Sequence, residues 1–141
     1  MMKPRCFKIV DPSKPATMPV RATKNSAGYD LYAAQDVVIE PGRKAVIPTN
    51  IVAYMAKDEV LLLHARSSYC FKHDLMLVNG VGVIDADYQK EILVGYRNMG
   101  IKSFRIKKGD RIAQGVFCKF LKVANDNAVS DRNGGIGSTG K

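Results

Sequence analysis

Apolar residues along this chain fall in short, β-branched runs cut by turn residues, and do not line one face of long helices. The first run, Val37-Val38-Ile39-Glu40, ends at Pro41-Gly42, and residues 45–47, 51–55 and 60–63 follow at close intervals. After a polar break come residues 75–78, 92–96 and 104–106, and then the longest run, 112–123. Short strands at this spacing, punctuated by Pro-Gly, Asn-Gly and Lys-Gly-Asp turns, predict an all-β sandwich, jelly roll or barrel. No window keeps a 3.6-residue apolar period over three turns. One short helix is predicted to begin near Ser67-Ser68, where a hydroxyl can cap it.

Beyond Val123 the pattern stops. Residues 125–141 carry almost no large apolar side chain and end Gly134-Gly135-Ile136-Gly137-Ser138-Thr139-Gly140-Lys141. Such a segment buries too little to offset its ordering entropy, so it reads either as a frayed tail or as a flap whose backbone N–H groups order over a phosphate. We divide the chain into a β domain, residues 1–124, and a flexible glycine-rich tail, residues 125–141.

Composition narrows the class. A chain of 141 residues with 46% hydrophobic content suits one domain with its own core. There is neither an apolar run long enough to span a bilayer nor a secretory leader, so the expected setting is intracellular, cytoplasmic or nuclear. Cys6, Cys70 and Cys118 fit neither a disulfide framework nor paired metal-ligand spacing, and read as small buried or half-buried thiols. With only His64 and His73 available, any metal should be hard and oxygen-bound. The net charge of +9, from 22 Lys plus Arg against 13 Asp plus Glu, favours a polyanionic partner without choosing among nucleic acid, an acidic membrane and a nucleotide.

Four polar clusters lie between the strands, where a rigid β scaffold carries its functional loops. In Ser26-Ala27-Gly28-Tyr29-Asp30, Gly28 permits an unusual backbone angle, and Asp30 is a lone carboxylate among apolar neighbours, either a ligand or a local structural group. In His64-Ala65-Arg66-Ser67-Ser68, Arg66 offers a planar fork and the serines offer hydroxyl and backbone donors, a combination suited to phosphate. The segment from Asn79 to Glu91 reads as a β-hairpin able to hold a flat ligand, with carboxylates and Tyr88 at its loop. Asp85 follows Val83-Ile84, an apolar setting that favours a general base. In Lys107-Lys108-Gly109-Asp110-Arg111-Ile112-Ala113-Gln114 the turn chemistry is ordinary, but Gln114 is an uncharged donor at an apolar strand position and needs a partner.

Taken in order, these clusters and the tail resemble the five motifs of the trimeric dUTPase family, from Ala27 to Gly140. The resemblance implies a jelly-roll-like β-barrel, a homotrimer with three sites at subunit boundaries, Mg2+, and hydrolysis of dUTP to dUMP and pyrophosphate. It places Asp30 beside the metal, through water, and Arg66, Ser67, Ser68 and Gln114 on the phosphates. Asn79 and the backbone of Gly82, Val83 and Ile84 would bind the uracil edge, with Tyr88 under the deoxyribose. Asp85 would deprotonate the water that attacks the α-phosphorus. Arg132, with Ile136, Gly137 and Ser138 of the tail, would close from another subunit over the γ-phosphate. No membrane and no nucleic acid is required.

The chain departs from the family pattern in three places. Lys90 stands where Gly is usual two residues after the tyrosine, and Ala65 where Pro or Gly is frequent. The tail is one residue shorter than the family's, and Ile136 replaces the aromatic that would stack on uracil. Three other readings compete. One is a binding or regulatory module of this fold without catalysis. Another is a dCTP deaminase, whose catalytic Glu would fall at Gly95, a residue that cannot transfer a proton. The last is a basic β-barrel for nucleic acid, which would want several aromatics on one strand face.

Overall fold

A computed structural model describes residues 4–140. The elements in chain order are β1 (Cys6–Ile9), β2 (Val20–Arg21), β3 (Tyr29–Tyr32), β4 (Val37–Ile39), β5 (Lys44–Pro48), β6 (Ile51–Tyr54) and β7 (Glu59–Ala65). They continue with α1 (Ser67–His73), β8 (Leu75–Leu77), β9 (Gly82–Asp85), β10 (Leu93–Asn98), β11 (Phe104–Ile106) and β12 (Arg111–Lys119). All ladders are antiparallel. The largest sheet runs β2-β3-β12-β7-β9, a second runs β5-β10-β8, and β1-β6 and β4-β11 form two-stranded ladders. The architecture is all-β and jelly-roll-like, as predicted.

Alternation decides which face each strand buries. Along β10 every second residue, Val94, Tyr96 and Asn98, is buried, the period expected of a strand with one face on the core. Along β7 the buried positions Leu61 and Leu63 alternate with the half-buried Val60, Leu62 and His64. Together with Leu31, Ile39, Ile47, Ile51, Ile92, Ile106 and Ile112 they build one hydrophobic cluster. Each fully buried Leu or Ile contributes about 1.5–3 kcal/mol, so this cluster supplies most of the folding drive. Its buried members run from Leu31 to Ala113, and no residue of the tail belongs to it.

Several elements differ from the sequence expectation. β1, β2 and β3 were not foreseen: β1 and β3 interrupt their apolar positions with Lys8 and Asp30, and β2 spans two exposed residues. β9 is the first arm of the expected hairpin. The run through residue 123 stops as a strand at Lys119, where its last partner on β7 is Glu59. Residues 121 and 123 are exposed beyond it. The segment from Asn79 to Glu91 is not a hairpin: β9 joins the five-stranded sheet and β10 the three-stranded one, so the loop between them arches from sheet to sheet. The helix at Ser67 is present, but its N-cap is Arg66 in an extended conformation, and no side chain caps it. Cys70 is exposed, because α1 turns Tyr69 inward and leaves its neighbour outside, whereas Cys6 and Cys118 are half-buried. No helix among the described residues is long and apolar enough to cross a membrane.

One buried hydroxyl joins the scaffold to the loop after β7. Tyr96, fully buried, donates to the Ile112 carbonyl at 2.6 Å and accepts from the Arg66 backbone N–H at 3.2 Å. Burial raises its phenol pKa well above the ordinary tyrosine value, so the group remains a neutral donor. We therefore expect Tyr96→Phe, which strands both partners, to cost about 1–3 kcal/mol of stability, measured by urea unfolding. An unchanged midpoint would mean that water replaces the hydroxyl without loss.

Candidate active site

Strand register assembles the first half of the site. Across the five-stranded sheet Asp30 lies opposite Gln114, and Gln114 opposite His64, so three sequence-distant residues form one row. Arg66 follows two residues after His64, at the mouth of a cavity of about 620 Å3 that Asp30, Tyr69, Asp110 and Arg111 also line. The Asp30 carboxylate is 17% exposed and lies 3.8 Å from the Arg111 guanidinium. Asp30 is thus paired with a cation and not isolated among apolar groups. Arg66 donates to the Arg111 carbonyl at 3.2 Å, and its guanidinium stands 5.6 Å from the centre of the Tyr69 ring. Ser67 is exposed and Ser68 half-buried on the opening turn of α1. The recess thus sets two guanidinium groups, Arg66 and Arg111, beside two carboxylates, Asp30 and Asp110, and Asp110 is already taken up by the Lys107 N–H at 2.9 Å. The arginines suit a polyanion, and Asp30 suits a hard cation carried on it.

Gln114 shows why residue 28 is glycine. Its φ is not in the left-handed region, so the backbone angle anticipated for Gly28 is not the reason. A Cβ at that position would instead lie 2.6 Å from the Gln114 Oε1 atom. The Gln114 amide in turn donates a long bond, 3.4 Å, to the carbonyl of Ala65, the residue before Arg66. Arg111 was not singled out from the sequence. Its approach to Asp30 depends on a register shift between Arg111 and Ala113 in the β3–β12 ladder, a bulge that residue types alone do not announce.

The second half forms around β9. Asn79, Gly82, Val83, Ile84, Asp85 and Tyr88 line a small cavity of about 230 Å3, closed at the back by Leu63 and Leu93. Tyr88 is half-buried, its hydroxyl donates to the Glu91 carbonyl at 2.7 Å, and burial raises its pKa, with Glu91 adding to the effect. Asp85 does not have the apolar setting expected. Its side chain is 52% exposed, Val83 beside it is exposed, and its Oδ2 accepts from Arg132 at 2.5 Å. Arg132 also donates to Asp87 at 2.7 Å, and that bond is the main cause of its raised pKa. The tail of this chain therefore lies on the chain's own β9 loop. Ile136 and Gly137 line the cavity, although Ile136 is 85% exposed and covers little; Ser138 does not line it, and its N–H turns back to the Gly135 carbonyl.

The two halves stand apart. On β7, Asp85 pairs opposite Val60, whereas Gln114 pairs opposite His64 and Arg66 follows Ala65. The five residue steps of extended strand from Val60 to Ala65 span about 17 Å. A base must lie within one water, about 5–6 Å, of the phosphorus whose oxygens the cations hold. The cavities that Arg66 and Asp85 line share no residue, and Arg66 is held on the Arg111 carbonyl while Asp85 is held on Arg132, so the two face different recesses of one chain.

Comparison with known proteins bears on both halves. A family model described as dUTPase matches residues 14–140. The deoxyuridine 5'-triphosphate nucleotidohydrolase of Lactococcus lactis subsp. lactis (strain IL1403) is 42% identical, over 99% of this chain and 99% of its own. The crystal structure of dUTPase from Streptococcus mutans superposes with a TM-score of 0.80 at 36% identity, covering 85% of this chain and 99% of that one. A mutant dUTPase from phage phi11 of S. aureus, whose structure details the coordination of a structural Mg(II) ion, gives a TM-score of 0.79 at 25% identity over 91% of this chain and 98% of that one.

If Gln114 faces the anion, Gly28→Ala should push its carboxamide aside, with the Gln114 backbone giving a few tenths of an ångström to relieve a 3.1 Å contact at its Cβ. Losing its bond to a charged oxygen should weaken pyrophosphate binding about tenfold by titration calorimetry. Unchanged affinity would remove Gln114 from the anion site.

Proposed function

The chain belongs to the dUTPase family and is a dUTP diphosphatase, and from that premise we propose that each active site combines the phosphate half of one chain with the β9 half of another. The separation of about 17 Å along β7 carries this reading, because neither half can do the chemistry alone. The homotrimer that the motif resemblance implies, with boundaries between like chains, supplies the missing half at each site.

In this reading Arg66, Ser67, Ser68 and Gln114 hold the α and β phosphates, and Arg111 orients Asp30. Among the described residues no group of three or more His, Cys, Asp or Glu side chains is placed to cage a metal. The half-buried Asp30, beside Arg66 and Arg111, would fit a Mg2+ ion carried on the triphosphate and reached through water. Bound there, the ion neutralises charge on the phosphate oxygens. On the other half, Asn79 and the backbone of Gly82, Val83 and Ile84 bind the uracil edge. Tyr88 packs under the deoxyribose, where a ribose 2′-hydroxyl would meet its ring. Gly95 lies in β10, paired with Val46 and with Val78 against it, and offers no proton-transfer group for a deaminase.

The reaction needs a water aligned with the bond to be broken and a place for its proton. Asp85 accepts that proton as the water oxygen bonds to the α-phosphorus. The bond from the α-phosphorus to its bridging oxygen breaks, and pyrophosphate leaves with the electron pair. Residues 125–141 act as the flap of a neighbouring site, bringing Arg132, Ile136, Gly137 and Ser138 over the γ-phosphate and the base and excluding solvent. Ile136 covers the base by dispersion alone, without the stacking an aromatic adds.

Pyrophosphate release from dUTP with Mg2+ tests the reading directly. Asp85→Asn keeps the shape of the side chain and removes the proton acceptor, so kcat should fall about 10²- to 10⁴-fold while dUMP affinity changes far less. Near-normal turnover in Asp85→Asn would exclude it as the base.

A further inference from the structure

Arg132 is the most enclosed charge in the tail. Its side chain is 14% exposed, although the two carboxylates it bridges are 52% and 59% exposed. The guanidinium is covered from above by the Tyr88 ring, 6.0 Å from its centroid, and from the side by the tail. Gly135 lies so close to that ring that a Cβ there would sit 3.3 Å from Tyr88 Cε2. The tail is thus seated on the β9 loop by one bifurcated ion pair and one close packing contact. The Nη2 arm takes Asp85 Oδ2 and the Nε arm takes Asp87 Oδ1. Asp87 lies two residues beyond Asp85, across a turn closed by the Tyr88 N–H on the Asp85 carbonyl at 3.0 Å. That turn brings both carboxylates to the same guanidinium.

We propose that Asp87 is a positioning residue that parks Arg132 against Asp85 before substrate arrives, holding the β9 half of the site in a latched state. The proposal rests on the reading of Asp85 as general base, because the oxygen that meets Arg132 is then withheld from the water. Asp87 touches no reacting atom in this account; it sets where Arg132 waits. A triphosphate offers the guanidinium more charge and more acceptor oxygens than two exposed carboxylates do. In the proposed assembly this flap serves a neighbouring site, so a triphosphate bound there draws Arg132 off Asp85 and frees the base of this chain's own β9 half. The latch is an exposed ion pair and so a weak one, which lets the substrate compete with it.

Trypsin reads the latch without reference to catalysis, since cleavage after Arg132 requires the guanidinium to leave both carboxylates. In the assembled full-length enzyme without substrate, Asp87→Asn should release residues 133–141 about twofold to fivefold faster than wild type, followed by mass spectrometry. Asp87→Glu should restore protection. The KM of Asp87→Asn for dUTP should fall by a similar factor, because substrate no longer competes with the latch. Equal cleavage in wild type and Asp87→Asn, or a raised KM in that variant, would overturn the proposal. Asp85→Asn separates the two readings: faster cleavage supports the latch whatever the turnover, whereas retained turnover would defeat only the general-base role.

Discussion

The position of β7 governs everything else about this site. It is clamped between β12 and β9, and each ladder fixes a different functional group along its length. On the β12 side Gln114 meets His64 near the C-terminal end, with Asp30 next in the row. On the β9 side Asp85 meets Val60 near the N-terminal end. A one-residue slip in either ladder would turn buried Leu61 and Leu63 outward, so the register is locked by the hydrophobic core. The separation of the two halves along β7 follows from that lock. In the proposed assembly this rigidity is what makes the enzyme depend on its neighbours.

The local chemistry is built on the same frame. The buried Tyr96 hydroxyl bonds Ile112 and the backbone of Arg66, tying the proposed phosphate ligand to the strand that carries Gln114. Gly28 leaves room for the Gln114 carboxamide. The tail, by contrast, contributes no member to the core and holds on through Arg132 and a glycine against Tyr88. A segment attached this weakly can exchange partners when a polyanion arrives, which is what a flap has to do.

Much of this was legible in the residues. The strands of the core announced themselves by short apolar runs, and the motif order pointed to the family. The missing strands were those whose pattern polar residues interrupt, such as β3, where Asp30 breaks an apolar run and lines the recess beside Arg66. The β9 loop looked like a hairpin because its two arms are apolar and close in sequence; that they join different sheets is a long-range choice with no local signal. The pairing of Arg111 with Asp30 depends on a bulge, and the contact of Arg132 with the chain's own Asp85 depends on where a glycine-rich tail comes to rest. Neither is encoded in spacing. The exposure of Asp85 had the same origin, since Val83 and Ile84 predicted an apolar setting only if both turned inward.

The central claim is that one reacting centre draws its phosphate ligands and its base from different chains. Complementation tests it directly: chains carrying Asp85→Asn are unfolded and refolded together with chains carrying Arg66→Ala, each inactive when assembled alone. If the halves come from different chains, random assortment restores both wild-type halves in about a quarter of the sites, and dUTP hydrolysis returns to about that fraction of the wild-type rate. If both halves of a site come from one chain, the mixed assemblies stay as inactive as their parents, and the account fails.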